Sequence, residues 1–535
     1  MDIGRLKTSI SAVLILMALT AVAAAASPGT LDNSFNDPYG YALFNNGANA
    51  RDRGVETAIQ ADGQILVLGY SYNGVNEDVL LVRYHPDGSL DASFGTGGYV
   101  LYNGGANDRG LGLALQSDGK IVAVGYTYTG SQRDVLVLRY NANGTPDASF
   151  GTGGKVTYSS TGSATDIGFG VAVQSDGRIV VAGETSNGVN QDALVLRFTA
   201  EGNPDTSFAG GGIFRYAGPG GMDRAFALAI QPDGKIVVAG ATVVDTKDDV
   251  LVFRLNADGG LDATFGAGGI FTYSGAGDNY DYGNALALRA DGRIVVLGAQ
   301  TNGSAYDVLL LQLTPGGTPD TSFGAGGVVL YGDAGGRNDY GLGLVLQADG
   351  KIVITGYIQA ATDNVLVVRF HGDGALDASF GADGVFTWNG SGNGTDYGQA
   401  IALQADGRIV IAGFSHNGVS EDVLVMRLQA DDEEVVRCFI TLAMAGSGRD
   451  DQLATLRNFR DRYLINNHFG RLLSRLYYAA SGPLAALLER HDFLKPVARG
   501  ILTPVVWAVR YPATMMLMTV SGFMIGLFAL ARRRI

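Results

Sequence analysis

Two series of aspartates recur along the chain at fixed spacing and are the first candidates for chemistry. One comprises Asp52, Asp108, Asp166, Asp223, Asp281, Asp339 and Asp396. The other comprises Asp78, Asp134, Asp192, Asp249, Asp307 and Asp422, with Asn364 in the sixth place. If each pair sits two strands apart in one sheet, the carboxylates stand about 9.5 Å from one another, which suits the acid and base of an inverting hydrolase. A catalytic site is used once, however, and these residues come in every copy. Asp at strand starts and turns satisfies loose backbone N–H groups, so the Asp52 series reads as structural caps.

Other polar patterns point the same way. The loop Asn256-Ala-Asp-Gly-Gly-Leu-Asp262 places oxygens at short intervals, as a calcium loop would. It lacks the EF-hand order of ligands and the closing Glu, and Asn141-Ala-Asn-Gly144 loses the middle Asp, so an Asx-type turn is favoured. Arg83, Arg139, Arg197, Arg254, Arg369 and Arg427 recur at one strand position, with Gln312 as the exception, and read as blade-to-blade ion pairs. Histidines do not cluster, and there is no Cys/His metal spacing, Gly-x-Ser-x-Gly elbow or phosphate loop. No catalytic, cofactor-binding or metal-ligating residue is assigned, and a non-enzyme is expected.

The elements carrying these residues form one unit written seven times between 31 and 430. A Leu/Pro-Asp-x-Ser/Thr-Phe element ends at Phe35, Phe94, Phe150, Phe208, Phe265, Phe323 and Phe380. It alternates with an Asp-Gly element beginning at Asp62, Asp118, Asp176, Asp233, Asp291, Asp349 and Asp406, and seven residues beyond each lies a Gly of the Gly69, Gly125, Gly183 series. In the second copy, Gly98–Tyr102, Leu111–Gln116, Lys120–Tyr128 and Asp134–Tyr140 read as strands. Asp118-Gly119 between alternating apolar runs is a hairpin signal. The Gly125 series marks positions too crowded for a side chain. Seven four-stranded sheets without insertions or capping copies favour radial closure over an open array. The expectation is an all-β, seven-bladed propeller of antiparallel blades over 27–430, with repeats at about 31–89, 90–145, 146–203, 204–260, 261–318, 319–375 and 376–430.

The copies differ most in the loop after the third strand. YSYNGVNE (70–77), YTYTGSQR (126–133), ETSNGVNQ (184–191) and FSHNGVSE (414–421) are four of its seven versions. Variable side chains on a rigid rim suit a binding face, and Tyr70, Tyr72, Tyr126, Tyr128, Asn187, Tyr306, Tyr357 and His416 are the candidate rim. Solvated turns without a ligand are the alternative.

The repeat resembles the delta-60 repeat family of bacterial surface and secreted proteins. The resemblance rests on Leu-Asp-x-Ser/Thr-Phe-Gly, on Gln-x-Asp-Gly-Lys-Ile-Val-x-x-Gly as in Gln116–Gly125, and on Asp-x-x-Leu-x-Arg-Tyr/Phe as in Asp134–Tyr140. It implies a propeller-like architecture and no defined activity.

Both ends carry addresses. Arg5 and Lys7, the apolar run Ile10–Val22 and Ala24-Ala25-Ala26 read as a signal peptide over 1–26. The uncharged segment Tyr511–Ala531 is long enough to span a bilayer and is followed by Arg532-Arg533-Arg534. It reads as a transmembrane anchor with a cytoplasmic basic end at 532–535 and the propeller on the periplasmic or extracellular side. After an acidic linker at 431–436, a helical region over 437–510 contains Leu456–Leu464, Leu476-Tyr-Tyr478 and Ser481–Leu484. Over about 437–505 these resemble the CFI-box C-terminal domain of exported bacterial proteins. Cys438, the one cysteine, reads as a buried thiol. The net charge of −14 comprises +1 in 1–26, −24 in 27–436 and +9 in 437–535. An acidic body disfavours nucleic acid, and a basic tail suits a membrane surface. The expected protein is an envelope-anchored binding module for a protein or glycan. A hydrolase or lyase with a single-blade Asp, and a purely structural envelope protein, are the alternatives.

Overall fold

The computed structural model describes residues 28–430 apart from 48–50, 131, 161–164, 187, 276–279, 302, 304, 333–335 and 391–393. The expected signal peptide, linker, CFI-box-like region, anchor and basic end, and the candidate rim residue Asn187, lie outside the described residues.

Local structure follows from the repeated turns. In the second copy Gln116 and Lys120 close a tight hairpin, with Gln116 N–H donating to the Lys120 carbonyl at 2.9 Å. The Asp118 carboxylate accepts from Lys120 N–H at 3.2 Å, and Gly119 adopts φ +85°, which glycine tolerates at no steric cost. The flanking strands are Asp108–Leu115 and Ile121–Thr129, followed by Gln132–Tyr140. The first begins three residues before the expected Leu111 because Asp108 and Arg109 already pair with Thr127 and Tyr126. A β-bulge between Gly110 and Gly112 interrupts the alternation there and hides the strand start from a period-two reading.

Each sheet takes three strands from one copy and its fourth from the next. Tyr99–Tyr102, the short first strand of the second copy, pairs with Val79–Val82 and completes the first blade. The sheets are therefore staggered by one strand against the sequence repeat. The last blade is completed by Tyr41–Phe44 from the beginning of the propeller, which pairs with Val423–Met426. The result is an all-β propeller of seven four-stranded antiparallel blades.

The inner strands are Asp52–Ile59, Asp108–Leu115, Asp166–Val173, Asp223–Ile230, Asp281–Leu288, Asp339–Leu346 and Asp396–Leu403, numbered here as blades 1 to 7. The two middle strands of each blade are almost wholly buried, as in Ile121–Thr129 and Gln132–Tyr140. Seven apolar clusters fill the seven blade junctions, including that between blade 7 and blade 1, where Val410 and Val425 pack with Ile65 and Val82. In all seven junctions the repeat phenylalanine is fully buried. A Cβ on Gly125 would fall on the Arg109 carbonyl oxygen, and its six equivalents meet the same obstacle, so the glycines are dictated by inter-strand crowding.

The Asp-Gly turns and the Leu/Pro-Asp-x-Ser/Thr-Phe links share one face of the ring, the turn face, where six blades carry the same arginine–aspartate pair. Arg139 pairs with Asp147 at 2.7 Å and lies 4.5 Å over the Phe150 ring, while its Nη1 donates to the Ala200 carbonyl in the next blade's link. The ion pair expected to join blades is thus local, and the inter-blade bond is arginine to carbonyl. Blade 5 makes the same staple with its partners exchanged. Gln312 replaces the arginine, and Arg289 stands where other copies have Gln. Arg289 donates to Gln312 at 2.6 Å and to the Gly350 carbonyl at 3.0 Å.

Candidate functional site

The opposite face, the loop face, carries both aspartate series. Asp108 is fully buried at the start of its inner strand, accepting from Gly104 N–H at 2.5 Å. Thr127 stands between Asp108 and Asp134 in register. The neighbouring carboxylate of Asp108 is instead Asp78 of the preceding blade, which is itself bonded by Asn73 at 2.9 Å. At the ring closure Asn45 donates to Asp422 at 2.7 Å and Asn46 N–H donates to Asp52 at 3.0 Å. The two series therefore meet across blade boundaries and clip the loop that crosses from one blade to the next. This geometry secures the chain. Burial raises the carboxyls of Asp52, Asp108, Asp223 and Asp396 above the usual range. For Asp281, burial together with the Asp249 charge carries it to about 6. The Asn256–Asp262 segment on the turn face is an Asx turn, with the Asp258 carboxylate accepting from Gly260 N–H at 3.0 Å.

The candidate rim residues separate into three groups. Tyr70 and Tyr126 are buried, covered by the guanidinium groups of Arg109 at 4.4 Å and Arg133 at 5.0 Å. Tyr128 packs edge-on against Tyr126 and accepts from Arg133 at 3.1 Å, and the half-buried His416 accepts from Gly418 N–H at 3.1 Å; only Tyr72 of this group is exposed, at 37%. Tyr306 and Tyr357 belong to a continuous run, Tyr282–Tyr306–Tyr340–Tyr357–Tyr397–Phe414, with successive ring centroids 4.1–6.2 Å apart. Burial pushes the Tyr340 hydroxyl up to about 12, so it stays a neutral donor.

Tyr282, Tyr340 and Tyr397 were not among the sequence candidates because they sit on inner strands and not in the variable loop. Their signal is the residue after the capping Asp, which is Tyr in blades 5–7 and Arg53, Arg109, Ile167 and Arg224 in blades 1–4. The arginines pair with acids, Arg53 with Glu421 and Arg224 with Asp248 at 2.7 Å. The loop face is thus ionic over one arc and aromatic over the other.

Three loop tips on this face carry nearly bare valines, Val75 at 87%, Val189 at 94% and Val419 at 76% exposure. In blade 1 the Asn73 carboxamide oxygen accepts from Val75 and Asn76 N–H at 2.9 and 3.0 Å. Asn417 holds Val419 and Ser420 in the same way. The apolar tips are held out by a fixed turn.

Inside the ring, the bulged segments of all seven inner strands line a cavity of about 370 Å³. The bulge residues are Val55, Leu111, Phe169, Phe226, Asn284, Leu342 and Gln399. The following position is small in six blades, from Gly112 to Ala400, and is Glu56 in blade 1. Glu56 is open to the cavity yet enclosed by protein, and burial raises its carboxyl to about 7 against a single Thr57 N–H bond. Aligning the copies four residues after the capping Asp exposes this substitution, a signal that the motif-based reading passed over.

With the geometry in place, the chain can be set beside known proteins. Seven of its segments match one family model. That model is described as a domain of unknown function (DUF5122) beta-propeller and covers residues 60–94, 116–150, 174–208, 231–265, 289–323, 347–380 and 404–433. Each match spans the two middle strands of one blade, and the first six include the link that follows them. No curated protein matches the chain. Among solved structures it is similar to Sqt1 from Chaetomium thermophilum, at 12% identity and TM-score 0.39 over 71% of this chain and 97% of that one. It is also similar to a PQQ-bound aldose sugar dehydrogenase from Streptomyces coelicolor (15% identity, TM-score 0.35, 60% and 94% covered). The polysaccharide lyase Uly1 is a further neighbour (12%, 0.41, 74% and 93%). Likenesses at this level carry no functional argument.

Proposed function

We propose that this chain is an exported, membrane-anchored β-propeller that works as a non-catalytic binding module at the cell envelope, engaging a protein or glycan partner through its loop face. The observation that carries the reading is the contrast between the faces. The turn face repeats one satisfied staple around the ring, whereas the loop face differs from blade to blade in charge, aromatic content and tip residue. Rigidly presented aliphatic tips at Val75 and Val419 expose apolar surface where solvated turns would carry polar groups. They favour a protein partner over a glycan. The basic, uncharged-helix and leader signals at the chain ends, and the resemblance to delta-60 repeat proteins of the bacterial surface, support the address.

The rival hydrolase or lyase reading needs a blade-specific acid with a partner. The blade-specific acid of the channel is Glu56, and the described residues lining the cavity bring it no second acid, base or nucleophile. The test is capture of partners from envelope extracts, and a glycan array, with the full-length protein and with Val75→Ser/Val419→Ser and Tyr340→Ala/Tyr397→Ala variants. Binding that survives both double substitutions, or no specific binding at all, overturns the proposal.

A further inference from the structure

Polar and aromatic side chains both line the axial cavity. Glu56 in blade 1, Asn284 in blade 5 and Gln399 in blade 7 supply the polar groups. Asn284 donates one amide N–H to the Gly341 carbonyl at 2.9 Å, which leaves its second N–H and its carbonyl oxygen for a guest. Across the ring from Glu56 stand Phe169 and Phe226, packed edge to face at 5.4 Å and 66°.

Glu56 is not required by the fold. The six equivalent positions are Gly112, Gly170, Ala227, Ala285, Gly343 and Ala400, each in an inner strand with the same bulge and register. A carboxylate placed there loses hydration, a cost that either a proton or the positive charge of a guest relieves. Among the described residues lining the cavity there is no Lys, Arg or His to do so. The surrounding acceptors and phenyl rings suit one kind of guest. An ammonium head can donate to Glu56 while an apolar body packs on the rings. The volume of about 370 Å³ lies within the usual range for small-molecule sites.

We propose that the propeller channel is a binding site for a small organic cation, an amine whose ammonium is held by Glu56 and whose apolar part rests against Phe169 and Phe226. The site is separate from the loop-face reading and does not depend on it.

The test is calorimetric titration of the full-length protein at pH 8 with benzylammonium chloride. Benzyl alcohol serves as the uncharged counterpart and potassium chloride as the inorganic one. The expected result is saturable binding of benzylammonium, weakened at least tenfold by Glu56→Gln and by Glu56→Ala, and at least tenfold weaker binding of benzyl alcohol. Equal binding of the alcohol, retention of affinity in either variant, competition by equimolar potassium chloride, or no benzylammonium binding each overturns the assignment. Because Glu56→Ala restores the residue type found in the other blades, its melting temperature at pH 8 is expected to equal or exceed that of the parent. A lower one makes Glu56 a structural residue and overturns the proposal. Partner capture through the loop face is expected to be unchanged in Glu56→Ala, so failure of one reading is distinguishable from failure of the other.

Discussion

On the turn face, seven aspartates, from Asp32 to Asp377, are held below the usual carboxyl range. At Asp147 burial opposes ionisation but is outweighed by hydrogen bonds from Ser149 and the charges of Lys120 and Arg139. Asp262 is lowered first by Thr264 and then by Lys235 and Arg254. On the loop face and in the channel the balance reverses. Asp52, Asp108, Asp223, Asp281, Asp396 and Glu56 are raised by burial, and among the described residues none of them forms an ion pair. The arginine that recurs in the repeat is spent on the turn face, the capping Asp series is left to backbone and hydroxyl donors, and the loop-face arginines Arg53, Arg109 and Arg224 pair with Glu421, Glu77 and Asp248. A face whose buried carboxyls are met by cations has little left to offer a partner, whereas the other retains aromatic surface and bare apolar tips.

The contrast can be broken from the turn face first. Replacing Phe265 with Ala empties a fully buried position between blades and is expected to cost about 3–5 kcal/mol, measured from urea denaturation midpoints. The equivalent change at Phe150 should cost a similar amount, because the staple does not depend on the blade.

The next effect is a pH profile with two limbs. Depressed turn-face carboxyls stabilise the fold above their unfolded values, and that contribution is lost as pH falls below about 4. The raised carboxyl of Glu56 works in the opposite sense. Its stabilisation is full below pH 4.5 and is lost as pH rises through about 7, a fall of up to about 3 kcal/mol. Asp281 adds a similar decline through about 6. Denaturation curves between pH 4 and 8 should therefore show stability falling toward neutrality. Glu56→Ala should flatten the upper part of that fall while leaving the acid limb in place.

Smaller still is the exchanged staple of blade 5. Gln312→Arg alone sets two guanidinium groups together beside Asp320 and is expected to cost about 1–2 kcal/mol. Adding Arg289→Gln restores the arrangement of the other blades and should recover most of it, a coupling that a double-mutant cycle reads directly. Smallest is Val75→Ser, which should leave stability within about 0.5 kcal/mol while weakening partner capture. A large loss of stability there would mean that the tip is packed and not presented.

The repeat made the fold legible. Seven Asp-Gly turns, seven buried phenylalanines and the Gly125 series each state one local constraint seven times, and the closed ring satisfies them all. Two things were hidden. The bulge after Gly110 breaks the period of two, so the inner strands seemed to start at Leu111, and the residues around it were not recognised as channel lining. The stagger of sheet against repeat also placed Asp108 beside Asp78 of the neighbouring blade, a proximity that spacing within one copy cannot reveal. Of the candidate site, Tyr306 and Tyr357 lie in the aromatic run, whereas Tyr70 and Tyr126 lie beneath arginines. Tyr70 is covered by Arg109 of the next blade, a junction made only when the blades pack together, and Tyr126 by Arg133 on the paired strand of its own blade.

The seam of the ring has a mechanical consequence. Gly29 N–H is bonded to the Gln429 carbonyl at 3.0 Å, so chain entry and exit lie side by side. Tension applied through both ends would load this ladder one bond at a time, as a zipper is opened, instead of shearing all its bonds together. Blade 7 is thus the point at which the ring would yield under load. For the same reason, a circular permutant that joins residues 29 and 429 by a short linker and opens at an exposed Asp-Gly turn keeps every blade intact and moves the weak point to a chosen place.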